Sequence, residues 1–292
     1  MSVDVLQEKI RKSRNPVILE LPAAGSELPA HILGAAGSDA EACALACREL
    51  LDGLKGLVPA VRIRFSRFAL LGAEGMTRLT EILAYAGKLG YYVMLDAPGI
   101  LSDADARFAA QTIFRENTPF PCDSVILGSY LGSDGITPFL PGGKTGKKSV
   151  FVAVRTANRS APELQDLLAG GRLVHTAAAD LVSRWGGDST GKYGYACVGA
   201  LSAANAPDSL RTLRAKYPRM FLLADGYSAV GANAKNCSHA FDKFGRGAAV
   251  CDGGAIAGAW RQAQTDGQDY IVQAQSAAER IKRNLLRYTT IL

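Results

Sequence analysis

Two arginines, Arg62 and Arg64, stand two residues apart in the run AVRIRF (60–65), and a lone acid, Asp96, closes the run YYVMLD (91–96). In an extended chain, residues two apart share a face, so both guanidinium groups project the same way. Arginine is rarely buried without a partner. Arg62 is therefore expected either to pair with Asp96 across neighbouring strands or to meet a bound anion. Beyond Asp96 come Pro98 and Gly99, then the helix-start cluster Ser102, Asp103 and Asp105, with no base or nucleophile immediately after the acid. Small residues collect in two later stretches. One is LADGYSAVGAN, with Gly226, Tyr227, Ser228, Ala229, Gly231 and Ala232; the other is CDGGAIAG, with Gly253 and Gly254. Side chains this small let backbone N–H groups approach an anion closely, although the same residues also make plain tight turns.

The elements that must hold these groups are eight short β-type runs: 16–21, 60–65, 91–96, 124–128, 149–155, 195–200, 220–225 and 247–251. Helix-period segments separate most of them, at 39–55, 74–89, 103–115, 175–185 and 207–216, and 260–287 reads as a long C-terminal helix. Nearly continuous apolar strands alternating with helices predict a parallel sheet buried on both faces. Eight such units over 292 residues predict a (β/α)₈ TIM barrel, one domain over 1–292 with an N-terminal helix. A doubly wound open sheet is the alternative, but no G-x-G-x-x-G follows the first strand. In a barrel of this kind, chemistry sits at the C-terminal strand ends and phosphate often binds after strands seven and eight. That rule selects Glu20, Leu21 and Pro22, then Arg62, Arg64 and Asp96, then the turns around Gly226 and Gly253.

Bulk composition narrows the function classes. The chain is 48% hydrophobic and 21% charged, ordinary for a folded protein, and no apolar run reaches the length of a bilayer span. The charged, amphipathic start, MSVDVLQEKIRKSRNP, has no apolar signal core, so cytoplasmic residence is expected. The six cysteines are scattered without a C-x-x-C pair, and the three histidines lie far apart, so no metal site is expected. A formal net charge of +6 permits anion binding; dispersed and without a basic tail, it argues against nucleic acid, and phosphorylated small molecules fit the same charge equally well.

The order of several stretches adds a resemblance. FALLGAEGM (68–76), the Asp-Ala of LDA (95–97), YLGSDGITPFL (130–140), VFVAVRTANRSAPELQDL (150–167) and DGYSAVGAN (225–233) together resemble the orotidine 5'-monophosphate decarboxylase family in its longer bacterial form. The similarity runs over nearly the whole chain. It implies a (β/α)₈ barrel, a dimer with sites at the subunit interface, a pyrimidine ribonucleotide as ligand, and decarboxylation without metal or organic cofactor.

That family's chemistry uses an alternating Lys-Asp-Lys-Asp array, with the protonating lysine in an Asp-x-Lys-x-x-Asp motif after strand three. Here the motif reads Asp96-Ala97-Pro98-Gly99-Ile100-Leu101, so the lysine is replaced by Pro98 and the second acid by Leu101. Arg62 stands for the other lysine and Pro22 for the ribose-contacting acid. Val230 stands for the strand-seven glutamine and Gly254 for the strand-eight phosphate arginine. The base-contacting serine is Ala157, while Thr156 and Asn158 are retained. Decarboxylation leaves a carbanion that needs a positioned acid; proline has no proton to give and arginine holds its own too tightly.

Three functions compete at this point. One is a non-decarboxylating or regulatory relative, associated with pyrimidine biosynthesis and assembled as a homodimer or with a paralogue. Another is a barrel enzyme with altered chemistry on a phosphorylated or anionic ligand, using Asp96, Arg62, Arg64 and Asp103 or Asp105. The third is a decarboxylase supplied with its lysine from elsewhere, Lys55 or Lys88. An open mouth lined by Arg62 and Asp96 would favour the second, and a filled one the first.

Overall fold

The eight apolar runs become parallel strands because each has a wall of helices on one side and the barrel interior on the other. The computed structural model describes the chain apart from residues 98, 141–146, 188, 228–230 and 292. Its strands are β1 (Val17–Glu20), β2 (Ala60–Arg64), β3 (Tyr92–Asp96), β4 (Ser124–Gly128), β5 (Ser149–Arg155), β6 (Leu168–Ala169), β7 (Arg172–Leu173), β8 (Val198–Ala203), β9 (Leu222–Asp225) and β10 (Ala248–Cys251). All but β6 and β7 form a closed barrel in the order β1-β10-β9-β8-β5-β4-β3-β2. β6 and β7 form a small antiparallel hairpin, so β8, β9 and β10 are the sixth, seventh and eighth barrel strands.

Period-two alternation sorts the side chains into two cores. Val17, Leu19, Val61, Ile63, Val93 and Leu95 face outward into the layer shared with the helices. Ile18, Ala60, Tyr92, Met94, Phe151, Phe221, Leu223 and Cys251 face inward and fill the lower barrel. Phe151 and Phe221 meet nearly edge to face, with ring centroids 5.9 Å apart. Helix Ser2–Ser13 closes the N-terminal end, adding Val3, Leu6 and Ile10 to the inner core. Polar contacts seat it there: Ser2 Oγ lies 2.9 Å from Tyr92 Oη, and the Gly247 N–H donates to Gln7 Oε1 at 2.9 Å. With the floor packed and the base plugged, the charged inward residues of the described strands gather at the C-terminal mouth.

Some boundaries differ from the sequence reading for local reasons. The sixth barrel strand occupies Val198–Ala203 rather than 195–200; in the turn before it the Gly191 N–H donates to the Tyr195 carbonyl, and the Ala196 N–H donates to the carbonyl of Arg219, which precedes β9. The C-terminal helix covers Tyr270–Leu286, and a separate short helix covers Ala259–Gln262. Between them Gln264 (φ 56°) and Gly267 (φ 83°) adopt left-handed backbone, which an α-helix cannot continue through. Asp103 and Asp105 serve the start of helix Asp103–Phe114: Asp105 exchanges hydrogen bonds with the Ser102 cap, and Asp103 pairs with Arg107. No helix among the described residues is long and apolar enough to cross a membrane.

The tightness of the floor sets a test. A Cβ at Gly199 would stand 2.5 Å from the Phe221 carbonyl oxygen and 2.8 Å from two ring carbons of Phe151. Gly199→Ala is expected to cost about 1–3 kcal/mol through overpacking, read as a lower denaturant midpoint with an unchanged slope. An unchanged midpoint would mean the aromatic floor yields freely.

Candidate functional site

Four strands deliver the charged groups of the mouth. Register places Glu20 beside Arg62 and Arg64 beside Asp96. The long arginine side chains do not follow their register neighbours alone. Arg62 Nη1 donates to Glu20 Oε1 at 2.8 Å and to Asp225 Oδ1 at 2.7 Å, and its Nη2 donates to Asp96 Oδ2 at 2.6 Å. Arg64 turns back to the other oxygen of Glu20, with Nη2 to Oε2 at 2.8 Å. One guanidinium thus holds carboxylates from β1, β3 and β9 together, in the fork geometry that lysine cannot offer. Of the two sequence alternatives for Arg62, the pairing with Asp96 is present, and the guanidinium also lines the cavity above it.

Burial decides how these charges behave. The Arg62 side chain is only 6% exposed, against 25% for Asp96 and 15% for Asp225. Burial opposes the charge on Arg62, but Asp225, Asp96 and Glu20 outweigh it and hold the guanidinium pKa well above its ordinary value. Burial also raises the Asp225 carboxyl above the usual carboxylate range, against the pull of Arg62. Arg62 therefore stays charged throughout any accessible pH and cannot serve as a proton donor.

Just beneath the rim, Asp252 at the end of β10 is completely buried. Its carboxylate accepts the backbone N–H of Glu20 at 2.7 Å and of Ile256 at 2.8 Å. Burial drives this carboxyl up to about 7, while the N–H groups of Ile256, Glu20 and Gly254 pull the other way. Asp252 so ties the first strand to the turn after the last.

Above these residues lies a cavity of about 640 Å³. Arg62, Arg64, Asp96, Thr156, Asn158, Gly226, Gly253 and Gly254 all line it, joined by Glu20, Glu27, Arg67, Asp225 and Arg261. Thr156 is fixed from below: its N–H donates to Gln165 Oε1 at 2.8 Å, and Gln165 Nε2 donates back to its hydroxyl at 2.7 Å. Tyr227 and Gly231 do not reach the cavity. The Tyr227 ring joins the outer core, and Gly231 is exposed with φ 75°. Lys55 lines a separate hollow with Lys9 and Lys12, beside the start of β3 at the opposite end of the barrel, and Lys88 is exposed at the end of helix Gly72–Lys88. Among the described residues no lysine borders the mouth cavity.

The replaced positions Pro98 and Val230, and the turn residues Ser228 and Ala229, lie outside the described residues. Among the described residues, no three histidine, cysteine or acidic side chains are grouped to hold a metal ion, and all six cysteines are buried free thiols. Sequence reasoning passed over Asp225, Asp252, Arg67 and Arg261. The two acids carry the same signal as Asp96, an acid closing an apolar run. Arg67 and Arg261 sit on short helices after β2 and β10, where no periodicity marks an inward residue.

No family model matches the chain. It is 32% identical over 208 residues to the orotidine 5'-phosphate decarboxylase of Rhodopirellula baltica, spanning 70% of this chain and 69% of that protein. With the orotidine 5'-phosphate decarboxylase of Deinococcus radiodurans it shares 34% identity over 202 residues, 68% and 72% of the two chains. Among solved structures, OMP decarboxylase from Leishmania donovani superposes with a TM-score of 0.75 at 23% identity, covering 98% of each chain. The orotidine 5'-monophosphate decarboxylase of Plasmodium berghei gives 0.77 at 13% identity, again over 98% of each. The solved structures speak for the fold; the two curated relatives speak for common descent.

Two outcomes follow from the geometry. Arg62→Leu leaves three carboxylates facing one another and is expected to destabilise the protein by about 3–5 kcal/mol at neutral pH, measured by chemical denaturation. A loss under about 1 kcal/mol would show that the clamp holds nothing together. For Asp252, the folded-state pKa of about 7 lies above the ordinary 3.8, so folding favours the protonated form. The stability it contributes is fully present below that lower value and is lost as pH rises towards 7. Asp252→Asn cannot titrate there, so its deficit in melting temperature relative to the parent should shrink between pH 5 and pH 8. Parallel pH profiles for the two proteins would contradict a titrating Asp252.

Proposed function

The chain belongs to the orotidine 5'-phosphate decarboxylase family, and from that starting point we propose that it is a relative that binds a small anionic ligand without decarboxylating orotidine monophosphate. The observation that carries this reading is the Arg62 clamp at the base of an open cavity. The position that the family resemblance assigns to a lysine is occupied by a guanidinium committed to Glu20, Asp96 and Asp225. Pro98, at the position of the protonating lysine, has no side-chain proton, and no other described lysine borders the cavity. Among the described residues, a carbanion formed there would find no lysine ammonium to stabilise it or to quench it. Those two roles are each worth roughly two to four powers of ten in rate.

The open space favours a ligand over a purely structural barrel. A cavity of about 640 Å³ falls within the usual size range of small-molecule sites. Its wall keeps Thr156 and Asn158, which flank the position the resemblance assigns to the base-contacting serine, and carries arginines at the rim. A nucleotide or other phosphorylated small molecule fits that combination, with a role in or beside pyrimidine biosynthesis.

A regulatory role through a second chain, a copy of itself or a paralogue, draws support from a different feature. Leu70, Leu101, Phe108 and Tyr130 are 88%, 87%, 72% and 88% exposed. They sit on the segments following β2, β3 and β4, which are neighbours in the barrel. Apolar side chains so exposed on adjacent segments are commonly covered by a partner.

Purified protein supplied with orotidine 5'-monophosphate is expected to release no carbon dioxide above background, while a panel of nucleotides and sugar phosphates is expected to raise its melting temperature. Turnover at the roughly 1–10³ s⁻¹ of ordinary enzymes would overturn the non-decarboxylating reading. A flat response across the panel would remove the ligand-binding one.

A further inference from the structure

We propose that Arg64, Arg67 and Arg261 form an oxyanion subsite on the rim of the mouth, and that this subsite, rather than the glycine turn after β10, takes the phosphate of the ligand. The inference rests on the reading of the cavity as an anionic-ligand site and specifies where the charge is held.

Two observations place it. The first is that the turn after β10 already holds an anion of its own. The Asp252 carboxylate sits inside it, accepting the Ile256 N–H, while the N–H groups of Ala255 and Gly258 are bonded to the carbonyls of Asp252 and Gly254. An N–H nest filled by an internal carboxylate has few donors left for a phosphate and repels its charge whenever Asp252 is ionised. Gly253 and Gly254 then border the ligand without cradling it.

The second is the arrangement of guanidinium groups around the turn Gly25–Glu27. Arg67 Nη1 donates to Glu27 Oε1 at 2.6 Å, and Arg261 Nη1 donates to the carbonyl of Ser26, the adjacent residue, at 3.2 Å. One short helical turn, Gly25–Glu27, therefore holds both arginines side by side, and both line the cavity. Arg261 lies across Gly258, whose missing Cβ leaves room: an added one would stand 2.7 Å from Arg261 Nη2. Its guanidinium also lies 5.9 Å from the Trp260 ring. Arg64 completes the arc from β2. Each of the three makes a single side-chain hydrogen bond among the described residues, leaving most of its five donors facing the cavity or solvent. Held forks with free donors are suited to a phosphate ester, which they can grip in bidentate fashion.

The probe is inorganic phosphate, titrated into the full chain by calorimetry. Arg67→Gln and Arg261→Gln are each expected to weaken phosphate binding about tenfold or more. Arg283→Gln, an equal charge change on exposed surface of helix Tyr270–Leu286, should stay within about twofold. Both rim arginines are at least partly exposed, so these variants are expected to melt like the parent. Asp252→Asn, which removes the charge filling the turn, should leave phosphate affinity unchanged. Tighter phosphate binding by Asp252→Asn, or undiminished binding by the two rim variants, would overturn the subsite and return the phosphate to the glycine turn. That result would leave the broader ligand reading standing, because the latter falls only if the nucleotide and sugar phosphate panel gives no response.

Discussion

One guanidinium, that of Arg62, sets the character of this barrel. Three carboxylates from strands distant in sequence converge at the mouth, and none of them could remain charged so close to the others without a cation among them. Arg62 meets all three at 2.6–2.8 Å because its planar fork offers several donors at fixed angles. Arg64 then takes the remaining oxygen of Glu20, so the network spreads from the barrel axis to its rim. The same commitment keeps the Arg62 guanidinium charged and engaged with its three acids.

The network depends in turn on the division of the barrel interior. Tyr92, Phe151 and Phe221 fill the lower half and helix Ser2–Ser13 closes it, while the cavity opens at the C-terminal end. Inward positions near that end can be polar because they face the open cavity, and their apolar neighbours below prevent them from sinking further. Asp252 is the exception, completely buried, and it persists because backbone N–H groups from β1 and from the following turn surround it. It replaces a contact to solvent or ligand with one inside the protein, which makes the turn after β10 self-contained.

The barrel scaffold and the charged mouth rest on different residues. The outer core, the strand order and the helix spacing maintain the barrel, and the mouth carries a separate set of side chains on it. At the mouth, Arg62, Glu20, Asp96 and Asp225 form one connected hydrogen-bonded set, in which the buried Arg62 Nε has no partner among the described residues.

Much of this was legible in the chain itself. Strand periodicity is a local property, so the eight apolar runs, the barrel and the shared face of Arg62 and Arg64 could be read directly, and an acid at the end of a run marked Asp96. The same signal was present at Asp225 and Asp252, but nothing local distinguishes an acid that meets an arginine from one that meets only backbone N–H groups. Helix 260–287 was misjudged at its start because the left-handed backbone at Gln264 carries no strong residue-type signal. Only closure of the barrel brought residues 20, 62, 96 and 225 around one guanidinium, and only the turn at Gly25–Glu27 set Arg67 beside Arg261. Sequence determined which residues point inward, since that follows from the pleat of each strand; tertiary structure decided which of them meet, since that depends on the stagger between strands and on the reach of long side chains across the mouth.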